Sequence, residues 1–120
     1  MNDHATWSQD CERLFLAVER GDEQVWTSDV VVSEVVYVLQ RLYAVPRHDV
    51  ATKLLPLLRL RGLRLPNKRL YTRVFELYLT TGLSYQDCQT AALIESRGER
   101  ELYSYDRSFD RLPTLSRLEL

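Results

Sequence analysis

Glu34 is the residue whose type and position most directly indicate chemistry. It falls in an apolar segment that is predicted to be helical, so residues three and four positions away share its helix face. Those neighbours are Val30, Val31, Tyr37 and Val38. A carboxylate on an apolar face costs free energy unless it is paired or bound to a metal ion. The pattern predicts that Glu34 is an inward metal ligand, a structural residue paired with an arginine, or a residue at the edge of the apolar stripe.

Three aspartates are predicted to lie where helices start or strands end. Asp87 falls in the first turn of a helix that Ser84 can cap, a position that favours an acid in any case. Asp106 follows a strand, where an aspartate commonly forms a turn. Asp110 is either a fourth acid of the group or the ion-pair partner of Arg107 or Arg111. Each residue therefore has a structural interpretation beside its interpretation as a metal ligand.

Taken together, these acids predict a site for one or two Mg²⁺ or Mn²⁺ ions, which prefer oxygen ligands. In an α/β fold, sites form beyond the carboxyl ends of the strands, where helices start. Metal ions there orient a water molecule, lower its pKa and stabilise charge on a phosphate under in-line attack. The proposed ligands are Glu34, Asp87 and Asp106, with Asp110 as a candidate fourth.

A basic segment could hold the phosphates of a polynucleotide. Between Asp49 and Glu76 the chain has no acid, although its net charge is −1. The candidate RNA contacts are Arg64, Lys68, Arg69 and Arg73. A basic stripe of this kind fits a nucleic-acid backbone, and it equally fits a solvated face that is balanced by acids elsewhere in the fold.

The composition is that of one globular domain spanning residues 1–120. Of these residues, 45% are hydrophobic and 28% are charged, which argues against general disorder. No apolar run approaches the ~18 residues of a transmembrane helix, and no secretory signal is visible. We therefore expect a cytoplasmic protein with no membrane partner, in which Cys11 and Cys88 are reduced, buried thiols.

Periodicity and capping residues predict helices that alternate with short strands. The predicted helices are residues 6–20, 29–43, 46–60, 68–81 and 85–97, with a kink or early stop at Pro56. The predicted strands are residues 24–27, 63–65 and 101–105, with a final short segment at 115–118. This alternation predicts an α/β domain with a mostly parallel sheet.

Three segments resemble the PIN domain, the nuclease fold of VapC-type toxins. Residues 26–39 (WTSDVVVSEVVYVL) are similar to the family's strand and following helix with its inward glutamate. Residues 81–92 (TGLSYQDCQTAA) resemble the helix start that carries a metal-binding aspartate. Residues 102–112 (LYSYDRSFDRL) resemble the family's strand, aspartate and aromatic-containing turn. Their order and spacing cover essentially the whole chain.

The resemblance implies a three-layer fold and a metal-dependent endoribonuclease of a type II toxin–antitoxin system. It assigns catalysis to Glu34, Asp87 and Asp106 with Mg²⁺ or Mn²⁺, and it implies an RNA substrate, a VapB-type antitoxin and a homodimer. Apolar residues that could form the dimer surface, or equally an ordinary core, are Tyr37, Tyr43, Leu54, Leu57 and Leu58.

One departure from the family concerns the start of the fold. Family members begin with a central strand that ends in a metal-binding aspartate, and we expect this first strand to be absent here. A start site placed too far downstream, a truncated gene or a strand supplied by another chain would each explain it. The alternative function is therefore a catalytically inactive PIN-like module that binds RNA or an antitoxin.

Overall fold

The computed structural model describes residues 3–120, with side chains at residue 9 and residues 12–120. The α-helices are α1 (Asp3–Arg20), α2 (Asp29–Tyr37), α3 (Arg47–Leu58), α4 (Tyr71–Thr80) and α5 (Tyr85–Ser96). A π-helical turn at Val38–Leu42 extends α2, and 3₁₀ turns occupy Lys68–Leu70 and Arg107–Arg111. The strands are β1 (Val25–Trp26), β2 (Leu63–Arg64), β3 (Glu101–Tyr103) and β4 (Ser116–Leu118).

Two serines cap helices as the sequence predicts. The Ser28 hydroxyl accepts a hydrogen bond from the Val31 amide, and the Ser84 hydroxyl accepts one from the Asp87 amide, both at 3.2 Å. These bonds satisfy amides that have no partner within the helix. The start of α2 and the start of α5 are thus set by local sequence.

The helix boundaries differ in detail from the prediction. The predicted helix 29–43 is α-helical only to Tyr37 and then widens into the π-helical turn. The predicted helix 46–60 runs from Arg47 to Leu58, and Pro56 causes no early stop. Pro56 lies in the last turn of α3, so its missing N–H removes only one hydrogen bond near the helix end.

The strands form two separate pairs rather than the single sheet that was expected. β1 pairs with β2 and β3 pairs with β4, both in parallel. The Val25 amide donates to the Gly62 carbonyl at 2.9 Å, so β1 is tied to the segment that follows α3. With only two or three residues in each strand, the sheets contribute little area, and the helices supply most of the core.

The core lies among α2, α3, α4 and α5. Phe75, Tyr78 and Tyr85 form an aromatic cluster with ring centroids 5.5–5.9 Å apart. Cys88 is fully buried beside them, which confirms its predicted packing role. The side chain of Cys11 lies outside the described residues.

The helix α1 projects from this core. The radius of gyration is 16.8 Å and the longest dimension is 56 Å, whereas a compact domain of this length has a radius of about 14 Å. Leu14 and Phe15 are half exposed although they belong to the predicted apolar face. Val18 is buried, and its carbonyl accepts from the Gly62 amide at 2.7 Å. The C-terminal end of α1 is therefore its main attachment to the body.

Candidate active site

Asp87 is held in the first turn of α5 with its carboxyl partly buried. Burial raises the pKa of this carboxyl, a hydrogen bond with Ser84 opposes the shift, and the nearby Asp106 raises the pKa further. The environment of Asp87 therefore disfavours a bare negative charge.

Asp106 lies close enough to Asp87 for their carboxyl groups to interact. Its carboxylate accepts from the Ser108 amide at 2.9 Å, which is the predicted turn. Contacts with Ser108 lower the pKa of Asp106, with further lowering by Asp87 and Arg111. The two carboxyls thus have opposite pKa shifts, because burial is the main cause for Asp87 and the contacts with Ser108 are the main cause for Asp106.

Glu34 does not join this pair, and the prediction that it points inward is wrong. Its side chain is exposed, while Val32 and Val36 form the buried face of α2. The apolar residues Val30 and Tyr37, expected to be inward, are themselves 63% and 61% exposed. The valine-rich sequence leaves the phase of the apolar stripe ambiguous, and packing against the core selects the other face.

Asp110 forms an ion pair rather than joining the carboxylates. Its Oδ1 lies 2.9 Å from Nε of Arg117, which also contacts Glu119 at 2.5 Å. Asp110 therefore forms an ion pair, as its structural interpretation predicted, but the partner is Arg117 on β4 rather than Arg107 or Arg111.

Of the four predicted RNA-contact residues, two bond to other groups of the protein and two are exposed on its surface. Lys68 donates to the carbonyls of Leu60 and Leu63 at 2.5 and 2.8 Å. Arg73 pairs with Glu95 at 2.8 Å, and it also contacts Glu76 at 2.7 Å. These bonds orient the two cations toward the protein itself. The remaining two residues, Arg64 and Arg69, are exposed.

A cleft of about 510 Å³ opens beside the capped start of α5. Its lining residues are Ser33, Val36, Tyr37, Gln40, Arg41, Arg47, Gly82, Ser84, Tyr85 and Gln86. Nε2 of Gln86 donates to Ser33 Oγ at 3.2 Å, which ties α5 to α2 across the cleft. Ser84 lines the cleft and accepts from the Asp87 amide, so the cleft adjoins the first turn of α5.

Arg47 organises one wall of this cleft. Its Nε donates to the Tyr78 carbonyl at 2.9 Å, and its Nη2 donates to the Leu83 carbonyl. Its guanidinium carbon lies 3.8 Å from the centroid of the Tyr78 ring. Sequence reasoning missed this residue. One feature of the sequence could have identified it: Arg47 lies in the first turn of a predicted helix. A cation is unfavourable there because of the helix dipole, so it is expected to have a tertiary partner.

The carboxylate pair fits a hard divalent cation with an incomplete protein shell. Two close carboxyls, one with its pKa raised by the other, suit a cation that would stabilise both charges. Among residue 9 and residues 12–120, where side chains are described, no three acidic, histidine or cysteine side chains converge as metal ligands. Mg²⁺ can bind through one or two carboxylates together with waters and substrate phosphates. In the same part of the chain, no helix is long and apolar enough to cross a membrane.

Comparison with known families agrees with this arrangement. The family model for the PIN domain matches residues 6–115, which is nearly the whole chain. A search of curated proteins found no match. PIN domains are commonly nucleases, and they generally depend on divalent metal ions. With its helices, short parallel strands and two facing aspartates in matched segments, this chain belongs to the PIN domain family.

Proposed function

We propose that this chain is a Mg²⁺- or Mn²⁺-dependent endoribonuclease of the VapC toxin type. The observation that carries the proposal is the proximity of the Asp87 and Asp106 carboxyls, one in the first turn of α5 and the other at the turn after β3. Membership of a family that is commonly nucleolytic supports the same reaction class.

In this proposal Asp87 and Asp106 would hold the cation. A bound cation would lower the pKa of a water molecule and stabilise charge on the scissile phosphate. The protein's own contribution is to fix the two carboxyls before substrate arrives. The Ser84 cap sets the first turn of α5, and the Ser108 amide fixes Asp106. Such prior positioning lowers the cost of reaching the reactive geometry.

A non-catalytic PIN-like module that binds RNA or an antitoxin is the second candidate. The position of Glu34 favours it, because this predicted ligand is exposed rather than directed toward the aspartates. With two carboxylates and no third among the described side chains, catalysis would be weak, while the fold would still present a binding surface.

The partners belong to the same proposal: an RNA substrate, a VapB-type antitoxin, a second copy of the chain and a cytoplasmic setting. Tyr37 and Tyr43 are 61% and 72% exposed and are available for a dimer surface. Leu54 and Leu58 are buried, so they are core residues rather than part of a dimer surface. Leu57 is 39% exposed.

The first experiment is a Mn²⁺ titration followed by thermal unfolding. A cation that binds only the native state at 100 times its Kd would add about 2.7 kcal/mol, which raises the midpoint by about 10 °C for a domain of this size. We expect the rise in the parent and its loss in Asp87→Asn. Asp49→Asn is the matched control, because Asp49 is also a first-turn aspartate but on α3.

Each outcome has a defined meaning. A rise in the parent and in Asp49→Asn that is lost in Asp87→Asn supports the metal site, and cleavage of RNA by the loaded protein then tests the reaction. Equal behaviour of Asp87→Asn and Asp49→Asn, or no rise in the parent, contradicts the metal-dependent nuclease. A Glu34→Gln variant decides separately whether this exposed residue contributes to the cation site.

A further inference from the structure

The first strand pair leaves one backbone edge of β1 without a partner. The amides of Val25 and Thr27 donate to the carbonyls of Gly62 and Arg64 at 2.9 and 3.0 Å, so both amides face β2. Because successive residues of a strand direct their backbone polar groups to opposite sides, the N–H and C=O of Trp26 point away from β2. Among the residues that the structure describes, none bonds to these two groups.

The second strand pair has an open edge on β3. The Ser104 amide donates to the Leu118 carbonyl at 2.9 Å, so Ser104 faces β4. By the same alternation, the backbone groups of Glu101 and Tyr103 point away from β4. In the described part of the chain these groups have no hydrogen-bond partner either. An unpaired strand edge of this kind is a template for a further strand.

The chain itself closes the outer edge of β2. The Leu63 amide donates to the Leu60 carbonyl at 3.0 Å, and the Leu63 carbonyl accepts from Nζ of Lys68 at 2.8 Å. A lysine along an edge is a common protection against further strand pairing. The edge of β1 has no such protection, because neither of its residues is charged or proline and Trp26 is 79% exposed. The fold therefore blocks one edge of this pair and leaves the other open.

Two adjacent helices bring the open edges to the same region. α2 starts directly after β1, and α5 leads into β3. Gln86 on α5 donates to Ser33 on α2 at 3.2 Å, so the first turns of these helices lie side by side. Asp106, which follows β3, interacts with Asp87 in the first turn of α5. Both strands therefore end where α2 and α5 start, and the two pairs point in the same direction.

The sheet faces indicate the chemistry of what could pair with these edges. Parallel strands are almost always covered on both faces, and they are rich in valine, isoleucine and leucine. Leu63 and Leu102 pack one face of the two pairs on the helical core, whereas Trp26 and Tyr103 are exposed on the opposite face. Apolar side chains of an added strand would contact these rings, and such cross-strand pairs stabilise sheets. Only an extended backbone offers N–H and C=O groups to both open edges at once.

We propose that an extended, apolar segment of a partner polypeptide inserts between β1 and β3 and joins the two strand pairs into one parallel sheet. The segment bonds to the backbone of Trp26 on one side and to the backbones of Glu101 and Tyr103 on the other. It needs about five or six residues, the usual length of a strand. The inference is independent of the proposed nuclease, because it uses strand edges and not the carboxylates.

The test is thermal unfolding of the full chain with a synthetic peptide, measured without divalent metal. The probe has a central segment of about six valine and isoleucine residues, flanked by lysines for solubility. At about 100 times its Kd, we expect it to raise the unfolding midpoint by about 10 °C. Its matched control is the same peptide N-methylated at alternate residues, which keeps every side chain but removes the N–H donors to one edge. The control should bind at least about 10-fold more weakly.

A variant of the chain tests the same edge from the other side. Tyr103→Pro removes the N–H that faces the segment, while the neighbouring backbone groups that pair with β4 keep their donors. Binding of the unmodified peptide should fall about 10-fold or more. Tyr103→Val is the matched control, because it changes the same side chain but keeps the N–H, and it should still bind. Peptide binding should also slow amide hydrogen exchange at Trp26, Glu101 and Tyr103.

The comparison of the two peptides uses the parent chain alone, so it decides the question even if Tyr103→Pro does not fold. Equal binding of the N-methylated and unmodified peptides, or no stabilisation by the unmodified peptide, would overturn the proposal. Equal peptide binding by folded Tyr103→Pro and Tyr103→Val would also overturn it. A dimer of the parent in sedimentation, lost in Tyr103→Pro but kept in Tyr103→Val, would assign the edge to a second copy of the chain and reject a partner strand.

Discussion

Replacing Arg47 with methionine removes a guanidinium that ties the end of α4 to the loop before α5. Methionine keeps most of the apolar stem, so the change isolates the polar head. In the parent, this head donates to the carbonyls of Tyr78 and Leu83 and stacks on the Tyr78 ring. The variant leaves both carbonyls without their charged donor.

The expected loss follows from these contacts. A hydrogen bond from a charged group contributes about 1.5–3 kcal/mol. Because the two carbonyls border an open cleft, water can partly replace the guanidinium, and each loss should fall near the low end. The cation–π contact adds about 0.5–1 kcal/mol at a partly exposed site. We expect unfolding free energy to fall by about 3–4 kcal/mol, which lowers the midpoint by about 12–16 °C.

Thermal and urea unfolding, followed by circular dichroism, measure the effect. Arg41→Met is the matched control, because Arg41 lines the same cleft without a partner among the described side chains. Its stability should remain within about 0.5 kcal/mol of the parent. Arg47→Lys should lie between the two, since an ammonium lacks the planar fork that reaches both carbonyls. A midpoint for Arg47→Met within about 3 °C of Arg41→Met would refute the reasoning.

Gly62→Ala should cost at least about 3 kcal/mol in urea unfolding, because the new Cβ would lie 2.0 Å from the immobile carbonyl oxygen of Glu23. Gly98→Ala is its control: it has free space but a φ of +71°, so it should lose only about 1 kcal/mol. Glu95→Gln should lower stability by about 1 kcal/mol near neutral pH, because bonding to Arg73 lowers the pKa of Glu95 in the folded state. That contribution is present above the unfolded pKa of about 4.3 and is lost as pH falls through the folded value. The stability curves of parent and Glu95→Gln should therefore converge in acid, and a constant difference down to low pH would contradict the ion-pair account.

Local sequence predicted the parts of the site that depend on capping and turns. The Ser84 cap placed Asp87 in the first turn of α5, and the turn after β3 placed Asp106 where an Asx contact with Ser108 holds it. These features involve residues at most three positions apart, so they can be predicted from short stretches of sequence.

The orientation of Glu34 could not be predicted in the same way. Valines lie on nearly every side of α2, so several of its faces are equally apolar. Because successive residues are about 100° apart around the helix axis, a small rotation of the helix changes which residues are buried. The core of α3, α4 and α5 selects Val32 and Val36 and leaves Glu34 in solvent. Sequence periodicity identifies the buried face of a helix by its hydrophobicity, and the faces of α2 differ too little in hydrophobicity for this to work.

Local patterns in the chain specify the order of helices and strands, the capped start of α5 and the turn that holds Asp106. Those features follow from hydrogen bonds between neighbouring residues and from the hydrophobic periodicity of short segments. Tertiary packing selects which face of α2 is buried, divides the strands into two pairs, and brings Arg41, Arg47 and Arg111 near one loop. These depend on contacts between residues far apart in the chain, whose packing free energies no local pattern contains.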